Sequence, residues 1–196
     1  GRFSVANALG VLGCLVAEGI PFSEGVKLLE QLPPLPGRMQ KIGERPLVVV
    51  DYAHTPDALD KVLAALKPVA LARGGRLIAV FGAGGGRDAS KRPQMGLAAS
   101  RRADRVVLTS DNPRGEDPQA IIEAIRGGIA ANGAPNCAVE VDRARAIEAA
   151  IAGAAAADVI VIAGKGHESF QEIAGRRLPF SDAAGARAAL GRREAQ

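Results

Sequence analysis

The chain has no Trp, and aromatic residues make up only 3% of its 196 positions. A surface that holds single-stranded nucleic acid by stacking bases on rings is therefore not expected. Its two cysteines, Cys14 and Cys137, lie in apolar surroundings without CxxC spacing. That excludes a disulfide framework, suits a reducing cytoplasm, and predicts two buried thiols. No apolar run reaches the length of a membrane span, and no signal peptide is visible, so no membrane partner is expected. The two histidines, His54 and His167, are too few for a metal site without carboxylates at ligand spacing. No residue is assigned to a metal. A Ser-His-acid triad lacks its G-x-S-x-G turn, so no catalytic nucleophile is assigned either.

What is present is an ordinary soluble composition, 47% apolar and 23% charged, long enough to bury one core with an appendage. The net charge of +4 comes from dispersed arginines with acids among them, as in Arg101-Arg102-Ala103-Asp104-Arg105. Such a surface favours anionic small molecules and is no footprint for DNA. Leu9, Leu12, Leu15 and Val16 recur at helical spacing up to Gly19, almost from the first residue, Gly1. A chain that starts inside a helix is expected to be a piece of something longer. Ser23 is placed to cap a second helix through about Leu32. The stretch Pro33 to Gly37 reads as a linker and marks the main boundary.

From Pro46 onward strand and helix alternate. Apolar runs at Leu47–Asp51, Arg76–Phe81, Arg105–Ser110, Cys137–Val141 and Asp158–Ala163 read as strands. Helices start at Thr55-Pro56-Asp57, near Lys91, at Asp117-Pro118 and at Asp142, where capping side chains and N-terminal prolines stand. Ser169 to Phe180 reads as a hairpin turning at Gly175, and a last helix starts near Ser181-Asp182. Near-continuous apolar strands separated by helices predict an α/β fold, a Rossmann-like, mostly parallel sheet with helices on both faces.

Parallel strands would bring four polar loops to one sheet edge. They are Asp51 to Thr55, Gly82 to Asp88, Asp111 to Arg114, and Gly164 to Glu168. Both histidines lie in them. The glycine turn fails the dinucleotide fingerprint because Arg87 stands where a glycine is needed. Gly164-Lys165 fails as a P-loop because Gly166 follows it and Val159 replaces the leading glycine. The turn reads either as a place where backbone approaches a ligand, with Arg87 supplying charge, or as a loose turn with a solvated arginine. Asp51 reads as a ribose acceptor, a helix cap with Thr55, or both. The loops together suit a small zwitterion with more than one carboxylate and an ammonium. Arg87 and Arg114 would take carboxylates, and Glu168 or Asp111 the ammonium.

Gly37-Arg38-Met39, Asp51 to Pro56, the run from Gly82 to Arg92-Pro93, Asp111-Asn112-Pro113-Arg114 and Gly164 to Glu168 occur in one order and spacing. Together they resemble the carboxy-terminal domain of the Mur ligases, in the branch that adds 2,6-diaminopimelate during peptidoglycan synthesis. Residues 1–7 resemble the last segment of that family's central ATPase domain, with Ser4 where Asn is usual. The resemblance implies that 1–36 are the end of that domain and a linker, and 37–196 an amino-acid-binding domain. It implies meso-diaminopimelate held by Arg87, Asp111, Asn112, Pro113, Arg114, Gly164 and Glu168. Asn7, Arg38, Asp51 and His54 would lie near ATP. ATP and Mg2+, bound mainly by a segment upstream of Gly1, and the UDP-MurNAc-dipeptide complete the implied partners of a cytoplasmic, monomeric enzyme. The family's P-loop, carbamylated lysine and magnesium ligands are not among these residues, so the chain alone is expected to be inactive. An L-lysine-adding ligase is the near rival, disfavoured by Arg114. A free-standing amino-acid-binding module is the rival from another class, and a nicotinamide-dependent dehydrogenase already fails on Arg87.

Overall fold

Along the apolar runs successive buried residues join opposite core clusters, and that alternation assigns each helix to a face. The computed structural model describes residues 2–132 and 136–195, so Gly1 lies outside the described residues. These form two compact units, 1–35 and 36–196.

The first unit is a helix pair, α1 (Arg2–Ala17) and α2 (Phe22–Glu30). Gly19, at φ +88°, ends α1 in the left-handed conformation, where Ile20 N donates to Leu15 O. Leu12 is the buried position among the described side chains of α1, and a Cβ on Gly25 of α2 would come within 2.7 Å of its Cδ1. Two sequence expectations fail here. Helix α2 starts from Pro21 without a side-chain cap, and Ser23 lies inside its first turn, because the proline already sets the chain's entry. Cys14 is exposed and Cys137 only half-buried, so neither is a core thiol. In α1 it is Leu12, not Cys14, that faces inward.

The second unit is a six-stranded sheet. Its strands are β1 (Gln40–Glu44), β2 (Leu47–Asp51), β3 (Leu77–Phe81), β4 (Arg105–Leu108), β5 (Asn136–Val139) and β6 (Val159–Ala163). Their order is β1-β2-β6-β3-β4-β5, with only β1 antiparallel. Strand β1 was not legible in the sequence, because Gln40-Lys41-Ile42-Gly43-Glu44 is polar and pairs only at the sheet edge. Helices α3 (Pro56–Ala72), α4 (Lys91–Arg102) and α5 (Pro118–Ala130) cover one face, where Leu63, Met95 and Ile122 pack on Ala79, Phe81 and Val161. Helices α6 (Arg143–Ala152) and α7 (Asp182–Glu194) cover the other, where Ile147 and Leu190 pack on Ile78, Val80 and Ile162. Strands β6 and β3, the two central strands, are buried throughout, and each fully buried Val, Leu or Ile there contributes about 1.5–3 kcal/mol.

The caps follow the sequence closely. Thr55, Asp117, Asp142 and Ser181 each accept a backbone N–H at a helix start. Asp51 does not share in capping α3: its carboxylate accepts Met39 N at 2.7 Å and Ala53 N at 2.9 Å. A separate hairpin, β7 (Phe170–Ile173) and β8 (Arg176–Pro179), turns at Ala174-Gly175. Helix α4 leaves β3 over one face, whereas the chain after β6 reaches α7 on the other. Adjacent strands whose continuations part in this way open a crevice between their carboxyl ends.

Candidate functional site

That crevice is a cavity of about 470 Å³, lined by the loops after β2, β3, β4 and β6. Arg87, Asp111, Asn112, Arg114, Gly164, Glu168 and His54 all line it; Pro113 and Asp51 are buried behind or beside it. The right-handed winding of parallel strands explains why side chains far apart in sequence meet there.

The floor is a closed polar network. Lys165, with no exposed surface, donates to Asn112 Oδ1 at 2.9 Å and to Glu168 Oε2 at 2.8 Å. Asn112 Nδ2 donates to the same Glu168 oxygen at 2.9 Å, and Glu172 N donates to Asn112 Oδ1 at 2.9 Å. Burial alone would raise the Glu168 carboxyl. The ammonium of Lys165 and the amide of Asn112, with Arg114 nearby, outweigh it and hold Glu168 below the usual glutamate range. Asp111 sits against Gly164, where an added Cβ would come within 2.5 Å of Asp111 Oδ2 and where φ is +117°. That position therefore takes only glycine without strain.

One wall is arginine. Arg114 has φ +53°, an uncommon conformation for a side-chain-bearing residue. It is held there by the hairpin: Arg114 N donates to Glu172 O at 2.9 Å, and Ala174 N donates to Arg114 O at 2.6 Å. Its Nη1 donates to Gly85 O at 2.7 Å, and Nε lies 3.4 Å from Glu172 Oε2. Nη2 is the part of the fork left for a ligand. Arg87 is exposed and makes no hydrogen bond or ion pair with the described residues.

The glycine turn is not loose. Gly85 N donates to Asn112 O at 2.9 Å, and Gly86 N to Glu116 Oε1 at 2.6 Å. A Cβ on Gly82 would lie 2.1 Å from Thr109 O, and one on Gly85 2.0 Å from Pro113 O. The glycines thus let two loops touch. Buried Arg92 braces the same junction through Glu116, at 2.8 Å. The amide of Gly86 and the guanidinium of Arg92 hold the Glu116 carboxyl low.

At the other rim Tyr52 gathers three side chains. The Arg38 guanidinium lies 4.7 Å from its ring centroid, the His54 ring 4.6 Å and the His167 ring 5.4 Å. His54 Nδ1 donates to Tyr52 O at 2.8 Å, which leaves Nε2 as an acceptor in the neutral ring. Gly37 and Gly166 pack backbone to backbone beneath: a Cβ on Gly37 would lie 2.1 Å from His167 N. Asn7, exposed on α1, belongs to the first unit.

Sequence reasoning missed four contributors. Lys165 reads only as a failed P-loop lysine, although an acid three residues on offered the clue. Gln171, 7% exposed, donates to Ser110 Oγ and Asp111 O at 2.8 and 2.7 Å and has no sequence signal. Tyr52 stands in a recognised loop as the chain's only tyrosine. Arg143, fully buried, donates to Asp182 at 2.7 and 2.8 Å and to Ser110 O and Ala163 O at 3.2 and 2.9 Å. It therefore ties the ends of β4 and β6 to the start of α7. Among the described residues no three or more His, Cys, Asp or Glu side chains gather to hold a metal ion.

A family model described as "Mur ligase, glutamate ligase domain" matches residues 37–166. The chain is 57% identical to the UDP-N-acetylmuramoyl-L-alanyl-D-glutamate--2,6-diaminopimelate ligase of Acidovorax sp. (strain JS42), over 98% of this chain and 38% of that protein. It is 52% identical to the ligase of the same name from Pseudomonas aeruginosa, over 97% of this chain and 38% of that protein. The chain thus spans less than two-fifths of the curated relatives it matches. A solved structure of a UDP-N-acetylmuramoyl-L-alanyl-D-glutamate--2,6-diaminopimelate ligase superposes with a TM-score of 0.76 at 44% identity, covering 99% of this chain and 39% of that one. E. coli FolC in complex with ADP shares the fold, with a TM-score of 0.66 at 24% identity over 97% of this chain and 40% of its own. The chain belongs to the Mur ligase family, and residues 37–166 are its glutamate ligase domain.

Proposed function

We propose that this chain is the amino-acid-binding part of a ligase that joins meso-diaminopimelate to UDP-MurNAc-L-Ala-D-Glu for peptidoglycan. In that reaction ATP supplies the phosphoryl group that activates the D-glutamyl carboxylate as an acyl phosphate. An amine of diaminopimelate then displaces phosphate and the amide forms. This chain's part is positioning, not nucleophilic attack by one of its own residues.

One observation carries the reading. Arg87 and Arg114 line the same cavity as Glu168, so two cations and an ionised carboxylate converge where strand ends gather the loops. That pattern complements an amino acid with two carboxylates and two ammonium groups. Arg114 offers Nη2 and Arg87 its whole fork to carboxylates; Glu168 and Asp111 face the ammonium groups. Asn112, Pro113 and Gly164 shape the floor. L-Lysine has the ammonium groups but lacks the second carboxylate, which leaves one arginine without a partner.

The rim formed by Arg38, Tyr52 and His54 suits a nucleotide: an exposed guanidinium for phosphate, a ring face, and an imidazole acceptor. Asp51 keeps lone pairs beyond its two backbone bonds for a ribose hydroxyl. Mg2+ is assigned no ligand among the described residues. The curated relatives of this name support the substrate class, and a reducing cytoplasm remains the expected compartment.

Calorimetric titration of the chain with meso-diaminopimelate, L-lysine and L-alanine tests the reading. Diaminopimelate is expected to bind at least about tenfold tighter than L-lysine, one charge-assisted contact being worth about 1.5–3 kcal/mol. Arg114→Ala should abolish that preference. Equal affinity for the two amino acids, in this chain and in the full-length protein, would overturn it.

A further inference from the structure

Lys165 is one of the most deeply buried charged side chains among the described residues, and the proposed function gives it no contact with a substrate. It has no exposed surface, so it cannot reach a phosphate in the cavity. Two of its bonds end on residues assigned to the amino acid: Asn112 Oδ1 at 2.9 Å and Glu168 Oε2 at 2.8 Å. The Phe170 ring lies 5.7 Å from the ammonium on a further side.

We propose that Lys165 is a positioning residue of the amino-acid site, fixing which atoms of Asn112 and Glu168 a ligand meets. This rests on the proposed function. An ammonium has only donors, so the Asn112 atom facing it must be oxygen. Glu172 N, at 2.9 Å, requires the same. The amide of Asn112 is thereby turned with Nδ2 toward Glu168, at 2.9 Å. Glu168 Oε2 then accepts from both Lys165 and Asn112, and Oε1 is the oxygen left for a ligand ammonium. Without Lys165 only Glu172 N still orients the Asn112 oxygen, and Oε2 loses one of its two donors and competes for the ligand.

The same bonds bear on charge. The cations acting on Glu168 are Lys165 on its own loop, Arg114 from the loop after β4, and Arg143 from α6. Only Lys165 is within hydrogen-bond reach among these. Removing it leaves burial opposed only by the Asn112 amide and Arg114, so the ionised form is lost at higher pH than before.

The test is steady-state kinetics of the full-length protein with meso-diaminopimelate across pH, for Lys165→Met and Lys165→Arg. Lys165→Met is expected to raise KM for diaminopimelate about tenfold or more, with kcat changed less and KM for ATP unchanged. The acid limb of kcat/KM should move to higher pH, and Lys165→Arg, which keeps the charge, should leave it in place. A Met variant with wild-type KM, or with an unmoved acid limb, would overturn the proposal. Should that variant fail to fold, NMR titration of the Lys165 ammonium and the Glu168 carboxyl in the unmutated protein decides: an ammonium signal that shifts as Glu168 titrates supports the role, and one indifferent to that titration overturns it. If the unmutated protein does not use diaminopimelate, the proposed function fails on its own account, and the NMR titration still reports on Lys165.

Discussion

Arg114 shows how one residue can hold a conformation its side chain disfavours. Left-handed backbone costs a non-glycine residue about 1–2 kcal/mol, and the hairpin bonds at Glu172 and Ala174 offset that cost. Strain of this kind is retained where a particular side chain is needed at a particular point. Arg114→Gly should therefore be more stable than Arg114→Ala by about 1 kcal/mol, since glycine takes this φ freely. Both variants should lose diaminopimelate affinity alike. Urea denaturation with parallel titration separates the two effects, and a glycine variant no more stable than the alanine one would show that the backbone carries no strain. That an arginine stands in this loop is legible in the sequence. That its backbone is left-handed is not, because the hairpin that imposes it comes some sixty residues later in the chain.

At the scale of elements, the hairpin β7–β8 is the part whose role changed most between sequence and structure. Its turn at Gly175 is plain from local chemistry. What it grips is not, since Gln171 reaches Ser110 and Asp111 across the fold. Truncating Gln171 leaves the Asp111 carbonyl and Ser110 hydroxyl without their partner, at about 1–3 kcal/mol for buried groups. Gln171→Ala is thus expected to destabilise the protein by that amount and to increase amide exchange at residues 110–112 and 114. Unchanged protection there would mean that the hairpin does not brace the loop. The helices are the opposite case. Thr55, Asp117 and Asp142 announce their starts because a cap is satisfied within three residues. Strand β1 was invisible for the complementary reason, that an edge strand with one neighbour needs no apolar run.

For the molecule as a whole, the buried Arg143–Asp182 pair joins the two faces of the site to the last helix. Both side chains have no exposed surface, so removing one strands the other. Arg143→Met should cost about 3–5 kcal/mol, the cost found for a buried pair broken from one side. Double replacement with Asp182→Leu should recover much of it. Acid acts on the whole molecule through its carboxylates. Asp158 is pushed up by burial but held low overall by Arg76 and the amides of Arg76 and Ala155. Asp104 is likewise pushed up by burial and held low overall by Lys67 and Leu77 N. Glu168 behaves the same way. Their folded values lie below the unfolded ones, near 3.9 for Asp and 4.3 for Glu, so their contribution is complete above those values and is lost as pH falls through the folded ones. The urea midpoint should accordingly hold down to about pH 5 and decline below it; a midpoint flat to pH 3 would show that these bonds contribute nothing net.

The sequence by itself determined the parallel α/β layering, the helix starts and the four loops that form the cavity. Each of these is set by short-range patterns: apolar periodicity, caps, and the end of an apolar run. Only the tertiary structure decided that β6 lies between β2 and β3, that the glycine turn serves loop packing, and that Lys165, Arg143 and Gln171 hold the site in place. Those outcomes depend on burial and on partners distant in sequence, and a buried lysine differs from a solvated one only through the residues folded around it.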